Sequence, residues 1–184
     1  MNESKISVRY SKALLQFALE KKKLDPVYQD MLQLYQICQQ VDELISIFHN
    51  PIIPQSRKKK IVRAVFSGKV TDITLSFLEM VIHNKREIYI PDISRRFLDD
   101  YKRHKKITTV ILTTVIPLDQ QLKERIIQLV RNAYHTTVEL EEKQSEQLIG
   151  GFIIRMDDLM LDASVSKVLK KMRKKLITKE FERR

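Results

Sequence analysis

The stretch LIGGFIIRMDDLMLDASVSKVL, Leu148 to Leu169, changes pattern three times and decides how the second half of the chain folds. Leu148, Ile149, Phe152, Ile153, Ile154 and Met156 are apolar or β-prone, so the segment opens as a strand. A glycine pair, Gly150 and Gly151, lies inside that run, which predicts a bulge or a point where another backbone comes close. Asp157 and Asp158 supply a polar turn, and Leu159 to Leu161 resume a short apolar strand. Asp162 or Ser164 then caps a helix whose apolar positions are Val165, Val168, Leu169, Met172 and Leu176. No residue type in the stretch is placed for catalysis, and so specific a pattern without chemistry points to assembly.

Working back toward the N-terminus, ITTVILTTVI, Ile107 to Ile116, is β-branched almost throughout and reads as a strand closed by Pro117. Leu118 to Tyr134 has helical spacing at Leu122, Ile126, Leu129, Val130 and Ala133, and Thr136 to Glu142 alternates as a second strand. Before Lys106 the period is helical throughout. Helices are predicted over Ser4 to Lys22, from Asp25 and Pro26 as cap and first-turn proline, over Asp42 to Phe48, from Pro54, over Ile73 to His83, and from Pro91 and Asp92. Asn84 is placed to end the fifth in the left-handed conformation. The fold class is therefore α+β: a six-helix bundle followed by a smaller α/β domain, with the boundary giving domains 1–104 and 105–184.

Composition narrows the function classes. The chain has 184 residues, 43% of them hydrophobic, with only 3 glycines and 5 prolines, so a packed core is expected rather than disorder. No stretch approaches the length of a membrane span, and MNESKIS at the N-terminus has no apolar core of a secretory signal. One cysteine, Cys38, rules out an intrachain disulfide and fits a reducing compartment. The net charge of +11 favours an anionic partner. It is spread evenly, +6 over residues 1–104 and +5 over 105–184, so no basic arm or tail supports nucleic-acid binding, which remains the alternative reading.

Candidate chemistry is sparse. Gly150 and Gly151 lack the Lys and Ser/Thr of a phosphate loop and are not G-x-G-x-x-G. His49, His83, His104 and His135 have no partners at metal spacing, and Asp157, Asp158 and Asp162 lack the spacing of a calcium loop. Cys38 shares a face with Met31 and Leu34 and reads as core. The basic runs Arg57 to Lys60 and Lys167 to Lys175 read as solvated helix faces. Catalytic, cofactor and metal residues are thus expected to be none, and no small-molecule ligand is expected.

Two helices carry more apolar surface than one core needs. At about 100° per residue, Ile6, Tyr10, Ala13, Leu14, Phe17 and Ala18 form one broad face of the first helix, and Val8, Leu15 and Leu19 form a second. On the fifth helix Ile73, Phe77, Met80 and Val81 make one face, and Leu75, Leu78 and Ile82 make another. Two stripes mean either a wholly buried helix or an additional partner, and on neighbouring helices the second stripes could form a groove for an amphipathic helix.

Four segments in order resemble the delta subunit of bacterial F-type ATP synthases, which is similar to the mitochondrial oligomycin sensitivity conferral protein. They are RYSKALLQFA (Arg9 to Ala18, with Ser11 where the pattern has alanine), NPIIPQSRKKKIV (Asn50 to Val62), FLEMVIHNKREIYIPDISRRF (Phe77 to Phe97), and a C-terminal signature matched by Leu148, Ile149, Gly150, Gly151, Phe152, Asp162, Ser164 and Val165. The resemblance implies a stator subunit without catalytic residues that links the catalytic head to the peripheral stalk, resisting rotor torque during proton-driven ATP synthesis. It implies that the N-terminal domain binds the N-terminal segment of an alpha subunit through the first and fifth helices. Val8, Leu15, Leu19, Leu75, Leu78 and Ile82 are the expected contacts. The C-terminal domain is expected to meet the C-terminal segment of a b subunit. The expected location is the cytoplasmic side of the bacterial inner membrane, peripheral to it.

Overall fold

A computed structural model describes residues 5–116, 119–134, 136–156 and 159–172. The chain divides into two compact units, Met1–His104 and Lys105–Arg184.

The first unit is helical: α1 (Lys5–Glu20), α2 (Leu24–Gln40), α3 (Asp42–His49), α4 (Gln55–Phe66), α5 (Asp72–His83), a 3-10 turn at Glu87–Tyr89 and α6 (Ile90–His104). α6 packs against both α1 and α2, burying Ile90, Ile93, Phe97, Leu98 and Tyr101, the positions its spacing marks as apolar. α1 turns Ser7, Ser11, Leu14 and Ala18 inward. Small side chains at this spacing let the α6 backbone approach. α2 buries Val27, Met31, Leu34 and Cys38 along one stripe.

Two buried charged side chains in this core, Asp30 and Lys58, are paired. The Asp30 carboxylate, buried on α2, accepts from Thr71 N at 2.8 Å and from the Thr71 and Thr74 hydroxyls at 2.7 Å each, which fixes the start of α5. Thr71 also caps that helix by accepting from Thr74 N. Lys58 contradicts the reading of Arg57 to Lys60 as a solvated face. It is buried, and its Nζ donates to Phe48 O at 2.9 Å and to Glu87 Oε1 at 2.7 Å.

Helix ends differ from expectation by local geometry. α2 starts at Leu24, which puts Asp25 and Pro26 in its first turn; a proline is tolerated there because no intrahelical N–H is needed. Asp25 instead accepts a hydrogen bond from Tyr101 Oη at 2.8 Å. Asn84 does not take the left-handed conformation after α5 (φ −83°); Lys85 does, at φ 57°. Arg86 N then donates to Val81 O and Lys85 N to Ile82 O, the paired bonds of a Schellman ending.

The second unit is a sheet of order β2-β1-β3-β4 built from β1 (Ile107–Thr114), β2 (Thr137–Gln144), β3 (Phe152–Met156) and β4 (Leu159–Asp162), with α7 (Gln120–Tyr134) crossing between β1 and β2. β1 and β2 are parallel, as a helical crossover requires, and β3 is antiparallel to both β1 and β4. Val110, Leu112 and Thr114 point to one face, opposite Met156, Ile154 and Phe152 of β3. A further helix, α8, begins at residue 165 and is described to residue 172.

The glycine pair lies before β3, not as a bulge within it. Its second predicted meaning holds. Gly151 has φ 80°, and a Cβ there would collide with the carbonyl oxygen of Ala163. Ala163 N donates to Phe152 O and Val165 N to Gly150 O, both at 3.0 Å. Ser164 caps α8 by accepting from Lys167 N at 3.3 Å, while Asp162 Oδ1 accepts from Ser164 N at 2.9 Å. Gly150, Gly151, Phe152, Asp162, Ser164 and Val165 are therefore one structural knot joining β3, β4 and α8. Val165, Val168, Leu169 and Met172, the apolar positions of this helix, are exposed. Asp157, Asp158, Pro117, Leu118, His135 and Leu176 lie outside the described residues.

Candidate docking surfaces

α1 and α5 lie side by side with an open groove between them. Tyr10 meets Phe77 edge to face at 6.3 Å between ring centroids, and Asn84 Nδ2 donates to Tyr10 Oη at 3.2 Å. A cavity of about 300 Å³ opens between Ala13, Phe17, Ile73, Phe77 and Met80. Phe17 and Met80 are each 43% exposed, a large apolar surface left in water.

The groove uses the pair of helices expected from the sequence but the other face of each. Leu78 and Ile82, expected as groove contacts, are 1% and 0% exposed and belong to the core. Val8, Leu15 and Leu75 are half-buried against the bundle, and Leu19 is exposed; none of these lines the cavity. The physical reason is that the core direction bisects the two apolar arcs on each helix. It is occupied by Ser7 and Ser11 on α1 and by Thr74 on α5, polar residues that a hydrophobicity wheel discounts. The missed groove residues Phe17, Ile73, Phe77 and Met80 had a usable signal. The close-packed side of a helix is marked by its small residues, so the bulky Tyr10 and Phe17 flank it.

The second unit has its own apolar groove, of about 310 Å³, between α7 and the β3–β4 side of the sheet. Leu129 and Tyr134 of α7 face Phe152, Ile154, Leu159 and Leu161 across it. α7 is amphipathic yet has no fully buried residue, and Leu159 and Leu161 are more than half exposed.

Groups suited to chemistry are not gathered. Among the described residues no cluster of three or more His, Cys, Asp or Glu could hold a metal. His49, His83 and His104 each end a helix and are exposed. Cys38 is buried, and its desolvation pushes the thiol up to about 11.

Two separate units, each carrying an open apolar groove, define a protein that works by docking onto other chains. The chain belongs to the ATP synthase delta (OSCP) subunit family, whose pattern matches residues 6–176. It is 33% identical over 175 residues to ATP synthase subunit delta of Cytophaga hutchinsonii, covering 95% of this chain and 96% of that one. It is 35% identical to the same subunit of Phocaeicola vulgatus, covering 95% of each. A chain in the cryo-EM structure of the Toxoplasma gondii mitochondrial ATP synthase hexamer shares the fold, with a TM-score of 0.68 at 21% identity over 95% of this chain and 98% of that one. The chain is thus a subunit of ATP synthase, a component of its stator or peripheral stalk, and serves ATP synthesis. It is a peripheral component of that membrane-associated complex, and among its described residues no helix is long and apolar enough to cross a membrane.

Proposed function

We propose that this subunit is the mechanical tie between the catalytic head of the ATP synthase and its peripheral stalk, with no catalytic site of its own. The bundle of residues 1–104 takes the N-terminal segment of an alpha subunit as a helix in the α1/α5 groove. The unit of residues 105–184 takes the C-terminal segment of a b subunit, with the apolar groove between α7 and β3–β4 as the contact. The tie sits on the cytoplasmic side of a bacterial inner membrane. Torque from the rotor would turn the head unless both attachments hold, so each needs slow dissociation, which buried apolar area provides.

The observation that carries this reading is the exposed pair Phe17 and Met80 beside the α1/α5 cavity, in a bundle whose core is already closed by Leu78, Val81 and Ile82. An amphipathic helix is the shape that fills a groove between two helices. The test is capture of the purified chain by an immobilised alpha-subunit N-terminal peptide from the same organism. Saturable binding to this peptide, lost in a Phe17→Ser/Met80→Ser variant that still melts cooperatively, is the expected result. Binding that survives the double substitution would place the alpha contact elsewhere.

A further inference from the structure

The α1/α5 groove is not uniform along its length. The helices run antiparallel across it, since Tyr10 near the start of α1 meets Asn84 just past the end of α5, while Phe17 shares its cavity with Ile73. The cavity at the Phe17 end is lined by apolar side chains and Ser76, and among the described residues the one cation beside it is Lys21, whose Nζ lies 5.7 Å from the Phe17 ring centre. At the other end the groove widens into a cavity of about 650 Å³ whose floor includes Ile6, Tyr10 and Met80 and whose rim carries Lys5, Arg9 and Arg86. All three cations are exposed, and among the described residues none has a carboxylate partner, whereas Arg63 is paired with Glu79 and Lys123 with Glu142. Neither cavity has an Asp or Glu in its lining.

We infer that the groove accepts its partner helix in one direction only, with carboxylates of that helix laid over Lys5, Arg9 and Arg86 and its uncharged apolar turns over Phe17 and Ile73. This rests on the docking reading above and adds the charge pattern of the occupant, an amphipathic helix acidic at one end. A docked helix covers part of the rim and removes water from these cations. In the productive direction a carboxylate replaces that water. In the reverse direction the carboxylates meet Lys21 alone beside Phe17, while the three rim cations are left desolvated and unpaired, so the wrong polarity is selected against.

The experiment uses the full chain and the alpha-subunit N-terminal peptide, with affinity measured at low and high salt. Arg9→Glu/Arg86→Glu should lose on the order of tenfold in affinity at low salt, with a smaller difference at high salt. Lys12→Glu, equally exposed on α1 but outside both cavities, should bind as the parent chain does. A peptide with its carboxylates at that end changed to lysine should regain affinity for the reversed double variant. Melting temperature verifies folding, and if the double variant melts early, Arg9→Gln and Arg86→Gln carry the comparison. Should the parent chain bind the peptide while the Arg9 and Arg86 variants bind equally well at every salt, the polarity is wrong and the docking reading stands. Should the parent chain not bind the peptide at all, both fall.

Discussion

Ser11 Oγ donates to Asp100 Oδ2 at 2.6 Å in the buried seam between α1 and α6. The hydroxyl adds a polar tie in a seam where small size alone would let the two helices approach. Arg96 Nε lies 3.2 Å from the other oxygen of Asp100, so the carboxylate is held from both sides. Ser11→Ala leaves a buried carboxylate short of one donor and should cost about 1–3 kcal/mol of stability. Urea denaturation would measure it, and peptide affinity should not change, because Ser11 faces away from the groove.

Groove and core residues on α1 and α5 should separate cleanly. Leu78→Ala opens a cavity in the bundle and should lower stability by about 2–5 kcal/mol. Phe17→Ala and Met80→Ala remove exposed surface, so melting should hardly move while binding of the alpha-subunit peptide weakens by about 1–3 kcal/mol each. A large melting shift for Phe17→Ala would mean that it supports the bundle instead.

Lys58 and Glu87 form a buried ion pair in which Glu87 Oε2 has no hydrogen-bond partner among the described residues. Lys58→Met strands the carboxylate and should cost about 3–5 kcal/mol. Lys58→Met/Glu87→Leu removes both charges and should recover most of that loss, since an apolar pair needs no desolvation compensation. A double variant no more stable than Lys58→Met would show that the Lys58 bond to Phe48 O, not the charge pair, is what matters.

Cys38 gives a pH signature. Its folded thiol is raised to about 11 from 9.0, so the protonated form is favoured by folding. That stability is fully present below pH 9 and is lost as pH rises through about 11. Replacing Cys38 with Ala should flatten this part of the stability curve relative to the parent chain. A thiol reagent at pH 8 should label the native chain only as fast as it opens; labelling as fast as a free thiol would contradict the burial.

Gly151 is required twice, by its φ of 80° and by the nearness of the Ala163 carbonyl. Gly151→Ala should destabilise the second unit by at least ~2 kcal/mol. Amide exchange should show lost protection around residues 150–165 while α2 and α6 stay protected. Uniform loss across both units would show that they unfold together.

Much of this was legible in the sequence because it depends on local period. The switch to β-branched residues at Ile107, the proline-bounded helices and the glycine pair at 150–151 each follow from what a short segment can do alone. Details that depend on one neighbouring residue were less legible. Lys85 rather than Asn84 takes the left-handed position, and Leu24 rather than Pro26 opens α2, because either choice suits an isolated turn.

The sequence by itself determined the order and type of the elements, the family they belong to, and that α1 and α5 carry more apolar surface than one core can use. Which face of those helices stays open was decided only by tertiary structure. Periodicity fixes angles between side chains on a helix but not the direction of its neighbours. Here that direction runs through Ser11 and Thr74, whose hydroxyls find buried partners, Asp100 and Asp30, that lie far away in the chain. With those seams closed, Leu78 and Ile82 are drawn inside, and Phe17 and Met80 are left facing water.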